Sequence, residues 1–217
     1  MAPEVHSATL FTVVRHGETV WNTLGLQQGH LNSELTPLGI AQAKALAAML
    51  AERRFDLLYS SDLGRALQTA RILSAALGLE VHPDPRLRER QMGVMQGLTL
   101  AEFGERYPLE MAAFRSGDPD HVIPGGESLR ACTEKCIACM EEIAREYPRA
   151  QVLIVTHSGV LYGLFKHAVG LPLTGGRTFS LFNAAVNEFS VSESGAWMLL
   201  RWGCTGQGWT IPIADHW

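Results

Sequence analysis

The sequence has no apolar run long enough to cross a membrane, no basic stripe or tail, no internal repeat and few cysteines. A membrane-spanning helix needs about 20 consecutive apolar residues, so no membrane partner is expected. A general grip on nucleic acid needs clustered cations, and none is visible. The formal net charge is -4, from 18 Lys and Arg against 22 Asp and Glu. That sign does not exclude an anionic substrate, because a few cations in a concave site set the field there. The four cysteines are Cys132, Cys136, Cys139 and Cys204. Three are crowded together, which makes a poor disulfide framework and suits a reducing compartment. Residues 1–7 show neither a basic n-region nor a long apolar h-region, so no secretory signal is read and a cytoplasmic location is expected.

What is present is one sizeable core's worth of chain. The 217 residues, 47% hydrophobic and 18% charged, suit a soluble globular protein. We read one domain over 1–217, with 1–8 as a loose tail and 91–126 as an irregular insertion. Strands are expected at Thr9–Arg15, Phe55–Tyr59, Leu79–His82, Gln151–Thr156, Ala185–Ser192 and Trp197–Trp202. Thr36 and Pro37 signal a helix running to about Arg53, and Ser60-Ser61-Asp62 offers caps for a helix from Leu63 to about Leu77. Further helices are expected near Ala101–Arg106, Leu109–Arg115, Glu127–Tyr147 and Ser158–Val169. Strands alternating with helices indicate an α/β fold, a three-layer sandwich with a mostly parallel central sheet flanked by helices.

Two segments share one design. Phe11-Thr-Val-Val-Arg15-His16-Gly17 and Val152-Leu-Ile-Val-Thr156-His157-Ser158-Gly159 each run from apolar strand into histidine. In parallel sheets ligands bind beyond the carboxyl ends of the strands, so two such strands would bring both imidazoles to one crevice. Either histidine alone is more often a structural residue; the pair shifts the balance toward function. Arg15 closes a buried strand and needs a counter-charge. Arg65 lies in a helix's first turn, where the dipole disfavours a cation. A solvated side chain is the usual reading for such an arginine. The sharper one is that Arg65 and the helix end share a bound anion. Two such arginines suit a phosphate, which they grip through paired hydrogen bonds.

These residues resemble the histidine phosphatase superfamily, also called phosphoglycerate mutase-like. Arg15-His16-Gly17-Glu18-Thr19 with Trp21-Asn22 is similar to its signature. Ser60-Ser61-Asp62-Leu-Gly-Arg65, Leu87-Arg-Glu89-Arg-Gln-Met-Gly93 and Thr156-His157-Ser158-Gly159 resemble its later blocks, in the family's order. The resemblance implies the phosphoglycerate mutase-like fold and a set of roles. His16 is the nucleophile, held neutral with one ring nitrogen donating to a backbone carbonyl. Arg15, Arg65 and His157 stabilise the phosphoryl oxygens, with His157 the charged imidazole of the pair. Asn22 donates to the phosphate, Gln28 and Gly29 form a substrate-contacting turn, and the Ser158 amide contributes from its helix start. Glu89 protonates the leaving alcohol and then activates water. Without the family, Glu89 reads as one surface carboxylate among Arg86, Arg88 and Arg90. Glu18 and Thr19 are expected to fix the loop. Glu127-Ser128 also resembles a family block, though a helix start is the plainer reading.

The resemblance also implies that no metal and no other cofactor is needed. The family holds both mutases and phosphatases. The mutases carry a lysine after the Gly-Leu step where this chain has Gly97-Leu98-Thr99-Leu100, and adjacent arginines where it has only Arg115 beside Asp118 and Asp120. The expectation is therefore a phosphomonoester hydrolase acting on a small phosphate ester such as a sugar phosphate. A cofactor-dependent phosphoglycerate mutase and an inactive regulatory module of the same fold are the alternatives. Residues 91–126 are expected to frame the mouth of the site, with Met92, Met95, Phe103, Phe114 and His121 in its wall. Monomer and homodimer both stay open. The spacing Cys132-x3-Cys136-x2-Cys139 matches a radical-type iron–sulfur site, but a helical stripe of buried thiols is the better reading.

Overall fold

The computed structural model describes residues 8–205. Residues 1–7 of the expected loose tail lie outside the described residues, whereas Ala8 is buried. The elements follow in chain order: β1 (Thr9–Arg15), α1 (Val20–Thr23), α2 (Pro37–Leu50), β2 (Leu57–Ser60), α3 (Gly64–Leu77), β3 (Val81–Pro83), α4 (Leu100–Arg106), α5 (Pro108–Arg115), α6 (Leu129–Glu146), β4 (Gln151–Thr156), α7 (Ser158–Ala168), β5 (Val186–Val191) and β6 (Trp197–Cys204). The six strands form one sheet in the order β3-β2-β4-β1-β5-β6. The first four run parallel to one another; β5 runs against β1, and β6 against β5.

The sheet is the middle of three layers. Strands β1 and β4 are buried on both faces, which is why their sequences are near-continuous apolar runs rather than alternating ones. Phe11, Val13, Val152 and Ile154 face one core, with Cys132, Cys136, Met140 and Ile143 of α6 and Val160, Leu161 and Leu164 of α7. Val14, Leu153 and Val155 face the other, with Leu46 and Leu50 of α2 and Ala66, Ala70 and Leu73 of α3. Fully burying each of the Val, Leu, Ile, Phe and Met side chains here contributes about 1.5–3 kcal/mol. The three cysteines of α6 are free, buried thiols packed on the sheet, and burial pushes all three up, Cys139 to about 12. Among the described residues no helix is long and apolar enough to cross a membrane.

Two readings of the sequence need correction. Ser60-Ser61-Asp62 does not cap α3 in the ordinary way: its N-cap position is Leu63, which has no side-chain cap bond. Asn32 does that work from 33 residues away, its Oδ1 accepting from the Arg65 amide at 3.0 Å. Residues 91–126 are not simply a wall around a mouth. Met92, Met95, Phe103, Met111 and Ile123 close a small core of their own, with Met95 and Phe103 fully buried in it. Phe114 packs against that cluster, and His121 turns its ring to Glu110 at 3.0 Å.

Candidate active site

Strands β1 and β4 are adjacent and in register, Arg15 opposite Thr156, so the residue after each lies side by side. The His16 amide extends the ladder by donating to Thr156 O at 3.0 Å. The two imidazole centroids are 5.2 Å apart, tilted by 57°. His16 is 3% exposed and His157 is fully buried.

The bonds around each ring fix its protons. His16 Nδ1 lies 2.8 Å from the carbonyl of Gly17, which can only accept, so Nδ1 carries the hydrogen. Its Nε2 accepts from Arg65 Nε at 3.2 Å and is therefore the nitrogen with the lone pair. His157 Nε2 meets Ser61 Oγ at 2.8 Å. Ser61 Oγ accepts from the Leu63 amide at 3.3 Å, and among the described residues its own hydrogen has no acceptor but the ring, so the hydroxyl donates to Nε2. His157 Nδ1 is then a donor, buried and without a partner among the described residues.

Arg65 is the largest of the fully buried side chains, 1% exposed. Its Nη1 and Nη2 donate to Leu31 O and Gly29 O, each at 2.8 Å. Two carbonyls and an imidazole solvate it, not a carboxylate. Burial, followed by the repulsion of Arg15, lowers it to about 10, against the pull of Glu89, so it stays charged at neutral pH. A buried cation held this way favours an anion beside it. Arg15 is anchored by a bond from Nη1 to Leu181 O. At the α3 helix end Asn32 takes the Arg65 amide, and Arg65 itself offers the site its guanidinium.

Burial holds both histidines well below their ordinary value, and Arg65 and Arg15 add to it. Burial beside the arginines favours the neutral form of His157 until an anion arrives; the charge the family resemblance implies for it belongs to the phosphate complex. His16 is neutral, as a nucleophile must be.

Glu89 reaches the start of α7. Its Oε2 accepts from the Gly159 amide at 3.0 Å and from Ser158 Oγ at 3.2 Å, and its Oε1 from the Arg90 amide at 2.9 Å. A side chain at position 159 would run into this carboxylate, which explains the glycine there. Ser158 therefore presents its hydroxyl to Glu89. The approach segment is tied to β4 by Thr156 Oγ1 donating to Leu87 O at 2.8 Å.

Asn22 sits in α1. Its Oδ1 accepts from the Thr19 amide and Thr19 Oγ1, each at 3.1 Å, as half of a capping box. Gln28 Nε2 donates to Thr19 Oγ1 at 2.8 Å, and Gly29 turns with φ 49° to aim its carbonyl at Arg65. Glu18 fixes the loop through Thr36 Oγ1 at 2.8 Å.

The sequence carries little signal for Asn183 and Thr69, and marks Glu127 only through the family-like block. Asn183 Nδ2 donates to His16 O at 2.9 Å and approaches Asn22 Oδ1 at 3.4 Å. It stands beside Ala184, whose left-handed φ of 54° lets its amide reach Arg15 O at 3.0 Å. Thr69 Oγ1 accepts from the Gly17 amide at 3.1 Å. Glu127 does more than begin a helix: Oε1 accepts from the Gln91 amide at 2.9 Å and Oε2 from Lys135 Nζ at 2.6 Å, while Ser128 is the α6 cap.

The chain is similar to known proteins in sequence and in fold. The family model described as "Histidine phosphatase superfamily (branch 1)" matches residues 11–205. Phosphoglycerate mutase-like protein 4 of Arabidopsis thaliana is 39% identical over 194 residues, 88% of this chain and 83% of that protein. A metal-independent phosphoserine phosphatase of the same plant is 36% identical over 197 residues, 89% and 81% of the two chains. Among solved structures, a mycobacterial glucosyl-3-phosphoglycerate phosphatase superposes with a TM-score of 0.80 at 31% identity, covering 91% of this chain and 100% of that one.

Proposed function

Because the chain belongs to the histidine phosphatase superfamily, branch 1, we propose that it hydrolyses small phosphate monoesters through a phosphohistidine on His16. The observation that carries this reading is the His16 ring: Nδ1–H is committed to a carbonyl, and Nε2 keeps its lone pair beside a buried guanidinium. In the first step the Nε2 lone pair attacks phosphorus, the ester P–O bond breaks, and Glu89 gives its proton to the departing alkoxide. In the second, Glu89 takes a proton from water, the water oxygen attacks phosphorus, and the P–N bond breaks to release phosphate.

Arg15 and Arg65 face the phosphoryl oxygens with His157 Nδ1–H, the otherwise unpartnered donor. Asn22 donates through Nδ2, since Thr19 and Asn183 occupy its Oδ1. Gln28 and Gly29 line the phosphate, and the Ser158 amide adds the helix start. A phosphate dianion between the rings would oppose the arginines and draw a proton toward His157. The positive charge this reading needs comes from the arginines, so a chelator should leave activity unchanged.

Water, rather than a second substrate molecule, is the acceptor in this reading. Two features support it: Leu98-Thr99-Leu100 offers no lysine, and Arg115 is exposed at the end of α5 beside the exposed Asp118 and Asp120. Asp120 itself is paired with Arg130 at 2.6 Å. The names of the relatives span both activities, a mutase-like protein and two phosphatases, and those phosphatases make phosphoserine and glucosylated phosphoglycerate the first substrates to try. The test is phosphate release from a panel of metabolite phosphates, run beside a 3-phosphoglycerate mutase assay primed with 2,3-bisphosphoglycerate. Wild type should release phosphate and His16→Ala should not. Fast mutase turnover with negligible phosphate release would reverse the choice.

A further inference from the structure

The turn 28–32 does two things at once. Its backbone holds Arg65: the carbonyls of Gly29 and Leu31 take the two Nη donors, and Asn32 takes the amide. Between those carbonyls stands His30, whose side chain points the other way. Its Nε2 lies 2.8 Å from the carbonyl of Glu89, and a carbonyl only accepts, so Nε2 carries the hydrogen and donates. The His30 amide donates to Gln96 Oε1 at 2.7 Å, which fixes the residue from behind.

The segment that carries Glu89 is tied in several other places: Arg88 Nε donates to Asp62 Oδ1 at 2.6 Å, Leu87 O accepts from Thr156, and the Glu89 carboxylate accepts from Ser158 and Gly159. Gln91 exchanges backbone and side-chain bonds with Glu127, each at 2.9 Å, and Arg90 donates to Glu127 O at 2.9 Å and His121 O at 2.7 Å. Among the described residues, the His30 ring makes the direct bond from the turn 28–32 to the main chain of Glu89. We propose that His30 is a positioning residue that sets the distance between the carboxylate of Glu89 and the phosphate grip of Arg65. This rests on the assignment of Glu89 as proton donor to the leaving alcohol.

The test exploits the leaving group. An aryl oxide such as p-nitrophenolate departs without a proton, whereas an alkoxide needs one. The quantity kcat/KM reports the steps through phosphoryl transfer to the enzyme, before water attacks. For His30→Ala, kcat/KM on β-glycerophosphate should fall about 10–30-fold while kcat/KM on p-nitrophenyl phosphate changes by less than about 3-fold. His30→Asn, polar but too short to reach the carbonyl, should behave as alanine does. His30→Gln, whose amide extends as far as Nε2, should restore most of the alkyl-ester rate. A merely structural role, loosening Arg65, would lower both esters alike, and that result in the alanine and asparagine variants would overturn the proposal. So would unchanged rates on both. Glu89→Gln separates the two layers: if it shows no difference between the esters, the assignment of Glu89 itself fails. If it shows the difference and the His30 variants do not, only the role of His30 fails.

Discussion

The two strand ends that carry histidine begin alike and finish differently. After β1 the chain leaves through Gly17 into a loop, and the His16 ring bonds back to its own neighbour's carbonyl. After β4 a helix begins at once, and the His157 ring reaches sideways to Ser61, beyond the end of β2. One pattern, strand into histidine, therefore yields two proton inventories. His16 keeps a lone pair facing the arginine; His157 keeps a hydrogen with no partner among the described residues. The first suits an attacking atom and the second a donor to oxygen. The strand-into-histidine pattern by itself cannot separate them, because the difference comes from which groups the neighbouring chain ends supply.

The sharpest way to break this comparison is to ask which ring carries the label. Rapid quenching with a radiolabelled phosphate ester should give an alkali-stable, acid-labile phosphoenzyme in wild type. His16→Asn should give none. His157→Asn should still label, at a rate about 10²–10³ lower, the loss associated with removing one donor to a developing oxyanion. Label retained in His16→Asn, or found on His157, would exchange the two assignments.

A second prediction uses what the rings share. Both lie well below the ordinary histidine value because they are buried beside arginines. In the unfolded chain they titrate near 6.5, so below that pH the unfolded state binds more protons than the native one. Stability is then complete above about pH 6.5 and falls as pH drops toward the depressed folded values. The slope is up to about 1.4 kcal/mol per pH unit for each ring. Urea unfolding between pH 7.5 and 5 should show this loss, and the double variant His16→Asn/His157→Asn should flatten it. An unaltered slope in the double variant would show that other groups govern acid stability.

Much of the frame could be read from the residues alone. The bounds of β1 and β4 follow from their apolar runs, and Thr36-Pro37 marks the α2 start because that cap is local: Thr36 Oγ1 accepts from the Gly39 amide at 3.0 Å. The α3 start was misleading for the opposite reason, since its cap comes from Asn32, and a bond across 33 residues leaves no local trace. The same holds for Asn183 on His16 and for Met95 and Phe103, whose burial depends on how 91–126 folds on itself. The downward push on His157 was also hidden, because it depends on burial and on two arginines brought near by folding. His16, Arg65, Glu89 and His157 could be singled out by family resemblance; the structure adds what each bonds to.

Ser61 gives the finest test of the asymmetry, because it touches one ring only. Its hydroxyl is fully buried and donates to His157 Nε2, and this bond is what leaves the hydrogen on Nδ1. Ser61→Ala removes the donor without adding bulk. His157 can then carry its hydrogen on either nitrogen, and the share with Nδ1–H falls. One neutral hydrogen bond contributes about 0.5–1.5 kcal/mol, so kcat should fall about 3–10-fold. Labelling of His16 should slow by the same factor, because the lost donor acts on the transferring phosphoryl group and not on the attacking nitrogen. Thr69→Ala, which removes the acceptor for the Gly17 amide on the His16 side, is the matched control. If only the Thr69 variant slows labelling, the ring partner on the β4 side is structural and the division between the two histidines rests on His16 alone.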